Sequence, residues 1–117
     1  MHEMSLMSEI IQAVSADAQT RGIKRVERID VIAGELSNVL PDALELAFFY
    51  FQKQGIHCID ESTTLRISTE PAIARCEECQ LEFKPDYRIA LCSKCMRTSC
   101  VLLSGETFKV ESYEGSE

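Results

Sequence analysis

Four cysteines fall in two tight pairs: Cys76 and Cys79 in CEEC, and Cys92 and Cys95 in CSKC, with twelve residues between the pairs. Each CxxC turn brings two sulfurs onto one ion, so the two turns together offer four soft thiolates in a tetrahedral array. That donor set suits Zn²⁺. A shell closed by four protein ligands leaves no open position for a reacting group, so the site reads as structural. The spacer is slightly shorter than in common zinc ribbons but long enough for a short hairpin. An iron–sulfur cluster is the competing occupant of four thiolates, and redox CxxC motifs are the competing chemistry. With few apolar residues between positions 76 and 95, the module is expected to depend on its metal for folding.

At the other end the chain opens Met-His-Glu. A side chain as large as His at position two keeps the initiator Met in place, which gives His2 a defined address. Its imidazole can close chelate rings with neighbouring backbone nitrogens once those lose their protons, and a planar nitrogen-rich set is what Ni²⁺ or Cu²⁺ favours. The plainer reading is a solvated His at a chain end. His57, in GIHC, reads as a surface or loop residue. Cys58 and Cys100 lie outside the pairs and read as small buried hydrophobes. Cys100, five positions beyond Cys95, is the better spare ligand of the two.

Periodicity supplies the elements that must carry these residues. Leu6, Met7, Ile10, Ile11, Val14 and Ala18 follow helical spacing, with Ser5 placed to cap a helix from Leu6 to about Arg21 and Gly22 to end it. Over 26 to 33, Ile29, Val31 and Ala33 alternate with Arg28 and Asp30, as in a half-buried strand closed by Gly34. Pro41 fits the first turn of a second helix whose apolar face is Leu44, Ala47, Phe48 and Phe51, before Gly55 stops it. Residues 63 to 69 alternate again through Leu65 and Ile67, and a last run over 107 to 113 carries Phe108 and Val110.

The predicted order is α, β, α, β, cysteine module, β. An insertion between two strands places the last strand back in the first sheet, holding the module at two points. The expected fold is α/β: a small mixed β-sheet with two helices on one face, plus an inserted four-cysteine zinc-ribbon module. An α/β domain would comprise 1–72 and 101–117, and a zinc-binding domain 73–100.

Charge and composition exclude several functions. A formal net charge of −7 disfavours nucleic acid, whose binders show a clustered basic footprint. Within the cysteine segment Arg75, Lys84, Arg88, Lys94 and Arg97 are nearly balanced by Glu77, Glu78, Glu82 and Asp86. No run approaches the roughly 18 apolar residues of a membrane span, and MHEMSLMSEI lacks the basic and apolar regions of a signal peptide. A cytoplasmic protein is expected, in which six cysteines point to metal rather than disulfides. With two histidines and no Gly-rich phosphate loop, a hydrolase has no support, and the protein is expected not to be an enzyme.

The opening MHE, the segment GELSNVLPDALELAFFYF from Gly34 to Phe51 and the late CxxC pairs resemble, in that order, the HypA/HybF family of hydrogenase nickel-incorporation proteins. The resemblance implies a nickel metallochaperone for maturation of [NiFe] hydrogenase and, in some organisms, urease. It implies a HypB-type GTPase as partner, together with the hydrogenase large-subunit maturation machinery, while charge and hydropathy leave no nucleic acid or membrane among the expected partners. His2 would be the nickel ligand, helped by N-terminal backbone nitrogens, with Glu3 linked to the geometry of that site and to partner contact. Cys76, Cys79, Cys92 and Cys95 would hold structural zinc, and nickel would be transported. Two departures stand out. The His that follows some family CxxC pairs is replaced by Gln80 and Met96, and Leu40 stands where family members often carry an acidic nickel ligand, so the terminal amine of Met1, water or Asp42 would complete the set. On residue chemistry alone the rival class is a zinc-ribbon protein-interaction or transcription accessory module.

Overall fold

The computed structural model describes residues 2–56, 58–85, 91–92, 94, 96 and 99–117. Met1, His57 and Cys95 therefore lie outside the described residues. The elements are α1 (Glu3–Thr20), β1 (Arg25–Gly34), α2 (Pro41–Gln54), β2 (Thr64–Glu70), β3 (Ile73–Cys76), β4 (Glu82–Phe83), β5 (Cys100–Ser104) and β6 (Phe108–Ser116). Among the described residues they build two three-stranded sheets, ordered β2-β1-β6 and β4-β3-β5. The chain forms two compact units, one of Met1–Ile32, Val39–Ser68 and Lys109–Glu117, the other of Ala33–Asn38 and Thr69–Phe108. No described helix is long and apolar enough to cross a membrane.

In the first unit, α1 buries Met7, Ile10, Ile11, Val14 and Ala18, the stripe its periodicity predicts except Leu6, which is half-buried. The helix starts earlier than that stripe: it begins at Glu3, the cap position belongs to His2, and Ser5 lies inside the first turn and is exposed. An apolar pattern marks only the buried face, and the first turn is fixed instead by a long-range hydrogen bond of Glu3, described below. The C-terminal end is local. Ile23 N–H donates to the Ala18 carbonyl at 2.8 Å and Gly22 N–H to Gln19 at 3.2 Å, with Gly22 at φ 74°, the left-handed closure that glycine adopts without cost.

β1 is the central strand. Lys24 N–H donates to the Ser116 carbonyl at 3.0 Å near one end and Gly34 N–H to Thr107 at 2.6 Å at the other, so β6 runs against it. Thr63 Oγ1 donates to the Val26 carbonyl at 2.7 Å and Glu35 N–H to Glu70 at 3.0 Å, so β2 runs with it, and the sheet is mixed. A parallel pair needs a crossover connection, and α2 supplies it. The last run does return to this sheet as β6, as the insertion predicts.

The alternation of β1 misses one burial. Asp30, on the strand's polar face, is only 8% exposed. Arg28 Nε and Ser112 Oγ each donate to its Oδ2 at 3.1 Å, and Arg66 Nε lies 3.3 Å from its Oδ1. Arg66 and Ser112 belong to the two flanking strands, so membership of a central strand is what covers the carboxylate. Gln52, a second buried polar group, donates through Nε2 to the carbonyls of Asp60, Glu61 and Thr63 at 3.0, 3.1 and 2.7 Å. It pins the loop after α2 to the helix whose buried apolar face is Leu44, Ala47 and Phe48.

The second unit folds the cysteine segment into strands too short to show a period. β3 pairs antiparallel with both β4 and β5. Its flanking turns are tied by carboxylates: Glu70 Oε1 accepts from Gly105 N–H at 2.7 Å and Thr107 N–H at 3.3 Å, while Glu35 accepts from Ala72 N–H at 2.7 Å and pairs with Lys84. Lys84 and the Ala72 N–H hold the Glu35 carboxyl below its ordinary range. Gly34 is required by proximity, since a Cβ there would lie 2.1 Å from the Gly105 carbonyl oxygen.

Candidate metal centres

The cysteine cluster is built by two turns of matching design. Gln80 N–H donates to the Cys76 carbonyl and Met96 N–H to the Cys92 carbonyl, each at 2.8 Å. Gln80 and Met96, the residue after each pair, both sit at positive φ, 64° and 58°. A β-strand enters the first turn directly, because Cys76 is the last residue of β3, and its own N–H is taken by the Leu81 carbonyl at 2.9 Å. Cys76 and Cys92 are fully buried.

The Sγ atoms of Cys76, Cys79 and Cys92 all lie within 4.8 Å of one another, and Cys79 and Cys92 Sγ are 3.6 Å apart. An ion with Zn–S bonds of about 2.3 Å in a tetrahedral shell needs sulfurs about 3.8 Å apart, so the three thiols fit zinc in softness and spacing and supply three of its four ligands. Cys95 completes the sequence pattern but lies outside the described residues. The Leu81 backbone hydrogen bond lowers the Cys79 thiol, yet burial and the Cys92 and Cys76 thiols outweigh it and leave it raised. Thiols crowded without an ion resist ionising, and a bound cation reverses that balance.

Cys100 lies beside this cluster rather than apart from it. Strand register places it as the Cα partner of Cys76 across β3 and β5, and its thiol is pushed up by burial and by hydrogen bonding and charge from Cys76. The sequence singled it out as the spare thiol by its nearness to Cys95; the contact with Cys76 comes from pairing and had no sequence signal. Cys58 instead belongs to the first unit, its Sγ 3.6 Å from Ser15 Oγ.

At the N-terminal end, His2 is exposed and occupies the cap position of α1 with no side-chain hydrogen bond to the helix. Its carbonyl accepts from Leu6 N–H at 2.8 Å, which fixes its backbone and leaves the imidazole at the surface. Glu3 is 6% exposed, and its Oε2 accepts from Leu40 N–H at 3.1 Å. The terminal ammonium first, then the Leu40 N–H, bring its pKa down to about 2.

The Leu40 N–H is presented to Glu3 for a local reason. Pro41 opens α2, with Leu40 as its cap residue in an extended conformation, φ −89° and ψ 116°. A residue before proline is pushed out of the helical region, and its N–H falls among those a helix start leaves without an intrahelical acceptor. The Glu3 carboxylate accepts it at the positive end of both helices. The structure thus brings Glu3 next to position 40, where the family resemblance places an acidic ligand and this chain has Leu40, 61% exposed. Asp42 is in the first turn of the same helix.

Known proteins resemble this chain along its whole length. A family model described as hydrogenase/urease nickel incorporation, metallochaperone, hypA matches residues 1–115. The hydrogenase maturation factor HypA of Desulfitobacterium hafniense is 36% identical over 117 residues, all of both chains. That of Moorella thermoacetica is 31% identical over 115 residues, 98% of this chain and 99% of that one. The solution structure of the Ni metallochaperone HypA from Helicobacter pylori is similar with a TM-score of 0.66 at 26% identity, covering 99% of this chain and 98% of that one.

Proposed function

This chain belongs to the HypA family of hydrogenase/urease nickel-incorporation metallochaperones, and from that premise we propose that it takes up Ni²⁺ at His2 and holds structural Zn²⁺ through Cys76, Cys79, Cys92 and Cys95. It is a nickel metallochaperone for hydrogenase maturation and not an enzyme; the finer assignment of metals to residues is the proposal. Its strongest support is that His2 is exposed at the start of a helix whose first turn is anchored by Glu3 to Leu40. An imidazole that makes no capping bond is available to an ion, while the anchored backbone fixes where the ion would sit. Glu3 acts as a positioning residue, holding the first turn of α1 against the start of α2.

The zinc assignment rests on the cluster of three described thiols with the spacing of a tetrahedral shell. Cys95 enters it from the sequence pattern. When bound, zinc supplies a cross-link between the two turns, and the protein's own part is to bury the sulfurs and orient them through the Gln80 and Met96 backbone bonds. The proposed division of labour gives 1–72 and 101–117 to nickel and 73–100 to zinc. Delivery to hydrogenase, and to urease where that enzyme is the recipient, proceeds with a HypB-type GTPase in the cytoplasm. A partner that covers the first turn of α1 can bias the nickel site lying beside it.

The test is titration of zinc-loaded protein carrying a native N-terminus with Ni²⁺, for the parent and for His2→Ala. Nickel binding is expected to vanish in His2→Ala with zinc content unchanged, and the GTPase is expected to accelerate nickel transfer from the parent to a chelator. Unchanged nickel binding in His2→Ala would move the site away from the N-terminus. Zinc alone, with no nickel taken up by the parent, would favour the zinc-ribbon adaptor instead.

A further inference from the structure

Cys100 is a fifth thiol set against a four-thiol site, and its position follows from backbone pairing. Cys76 and Cys100 are Cα partners in the antiparallel ladder of β3 and β5. Glu77 N–H donates to the Ser99 carbonyl at 2.9 Å, so the adjoining pair, 77 with 99, is hydrogen-bonded. Bonded and non-bonded pairs alternate along an antiparallel ladder, which makes 76 with 100 a non-hydrogen-bonded pair. The Cys76 N–H accordingly points the other way, to Leu81. Cα atoms of such a pair lie about 4.5 Å apart with side chains close together, inside the range of roughly 4.4 to 6.8 Å that a disulfide spans.

Exposure distinguishes the two residues. Cys76 is fully buried and Cys100 is half-buried, so a small oxidant reaches Cys100 first. Cys79 and Cys92 are also close in space, but both belong to the proposed zinc shell, whereas Cys100 does not.

We propose that Cys76 and Cys100 are an oxidisable pair that hydrogen peroxide closes into a cross-strand disulfide, removing Cys76 from the zinc site. The Cys100 thiol gives up its proton, its thiolate sulfur attacks one oxygen of the peroxide and breaks the O–O bond to become a sulfenic acid, and the other oxygen leaves with that proton as water. The Cys76 thiolate then displaces hydroxide from that sulfur and the S–S bond forms. Two thiols and one peroxide give one disulfide and two waters. Zinc left with one ligand fewer is released, and a dithiol reductant restores both thiols. The release of zinc rests on the zinc reading given above; formation of the disulfide does not.

The experiment treats the zinc-loaded full chain with equimolar hydrogen peroxide, traps remaining thiols by alkylation, and maps cross-links by tandem mass spectrometry that resolves Cys76 from Cys79. Zinc release is followed with a chromogenic chelator. The expected result is a Cys76–Cys100 link as the main product, zinc released in step with it, and both reversed by dithiothreitol. Cys100→Ser is expected to keep its zinc before treatment and to lose it severalfold more slowly. Links confined to Cys79, Cys92 and Cys95 in the parent, or release from Cys100→Ser at the parent rate, would overturn the proposal. The parent map stands whether or not the variant folds. Protein purified without zinc that still forms the Cys76–Cys100 link would sink the zinc reading and leave the pair intact.

Discussion

Cys76 and Cys92 are fully buried, and the carbonyl of each is held by an N–H four residues on. His2 is exposed, makes no side-chain capping bond to its own helix, and is held by its carbonyl's bond from Leu6 N–H and by a neighbour, Glu3, bonded to Leu40. The proposed zinc site is enclosed by its own turns, and the proposed nickel site is displayed at the end of a helix. Enclosure suits an ion that stays, because leaving requires the turns to open. Display suits an ion that is passed on, because a partner can reach it. The same contrast separates the sources of stability: the first unit has a stripe of α1 and α2 residues in its core, whereas the second has short strands and a cluster of thiols.

The widest separation between the two regions is expected from Cys92→Ala. Zinc content should fall from about one per chain to none, and the second unit should lose order, since structural zinc contributes roughly 10 to 16 kcal/mol of apparent binding energy to small zinc modules. The helical circular-dichroism signal of α1 and α2 should persist. Loss of that signal together with the zinc would show that the two units do not fold separately.

Gln52→Leu reverses the experiment with a smaller effect. Removing its amide leaves the Asp60, Glu61 and Thr63 carbonyls without their donor, which should cost the first unit about 2 kcal/mol. Urea unfolding followed by the helix signal measures this, with zinc content unchanged. A matching loss of zinc would break the division from the other side.

The smallest effect concerns the displayed site. Leu40→Glu puts a carboxylate at the position that Glu3 contacts through the backbone, and nickel affinity should rise severalfold. Asp42→Asn should leave nickel affinity unchanged and cost α2 about 0.5 kcal/mol by weakening its favourable charge at the helix start. Nickel titration with a helicity check separates the two. A large loss in Asp42→Asn with the helix intact would make Asp42 a ligand and the site less purely N-terminal than the comparison holds.

What could be read from the sequence is what depends on near neighbours. Helical spacing marked most of the buried faces of α1 and α2, alternation marked β1, β2 and β6, and CEEC and CSKC announced the thiol cluster to which Cys76, Cys79 and Cys92 belong, because a CxxC turn is a local chelate. β3, β4 and β5 escaped because strands of four, two and five residues are too short to establish a period. Asp30 and Gln52 escaped because their burial is imposed by partners elsewhere in the chain.

The sequence by itself determined the order of α1, β1, α2, β2 and β6, the helix ends at Gly22 and Gly55, and the chemistry of the donors. Tertiary structure alone decided which donors meet. Glu3 reaches Leu40 across 37 positions, and Cys100 faces Cys76 only because β5 pairs with β3 in one register. A one-residue slip would turn that thiol to the opposite face. Residue types fix what a side chain can bind, but pairing across the fold fixes what stands beside it, and no local spacing encodes that.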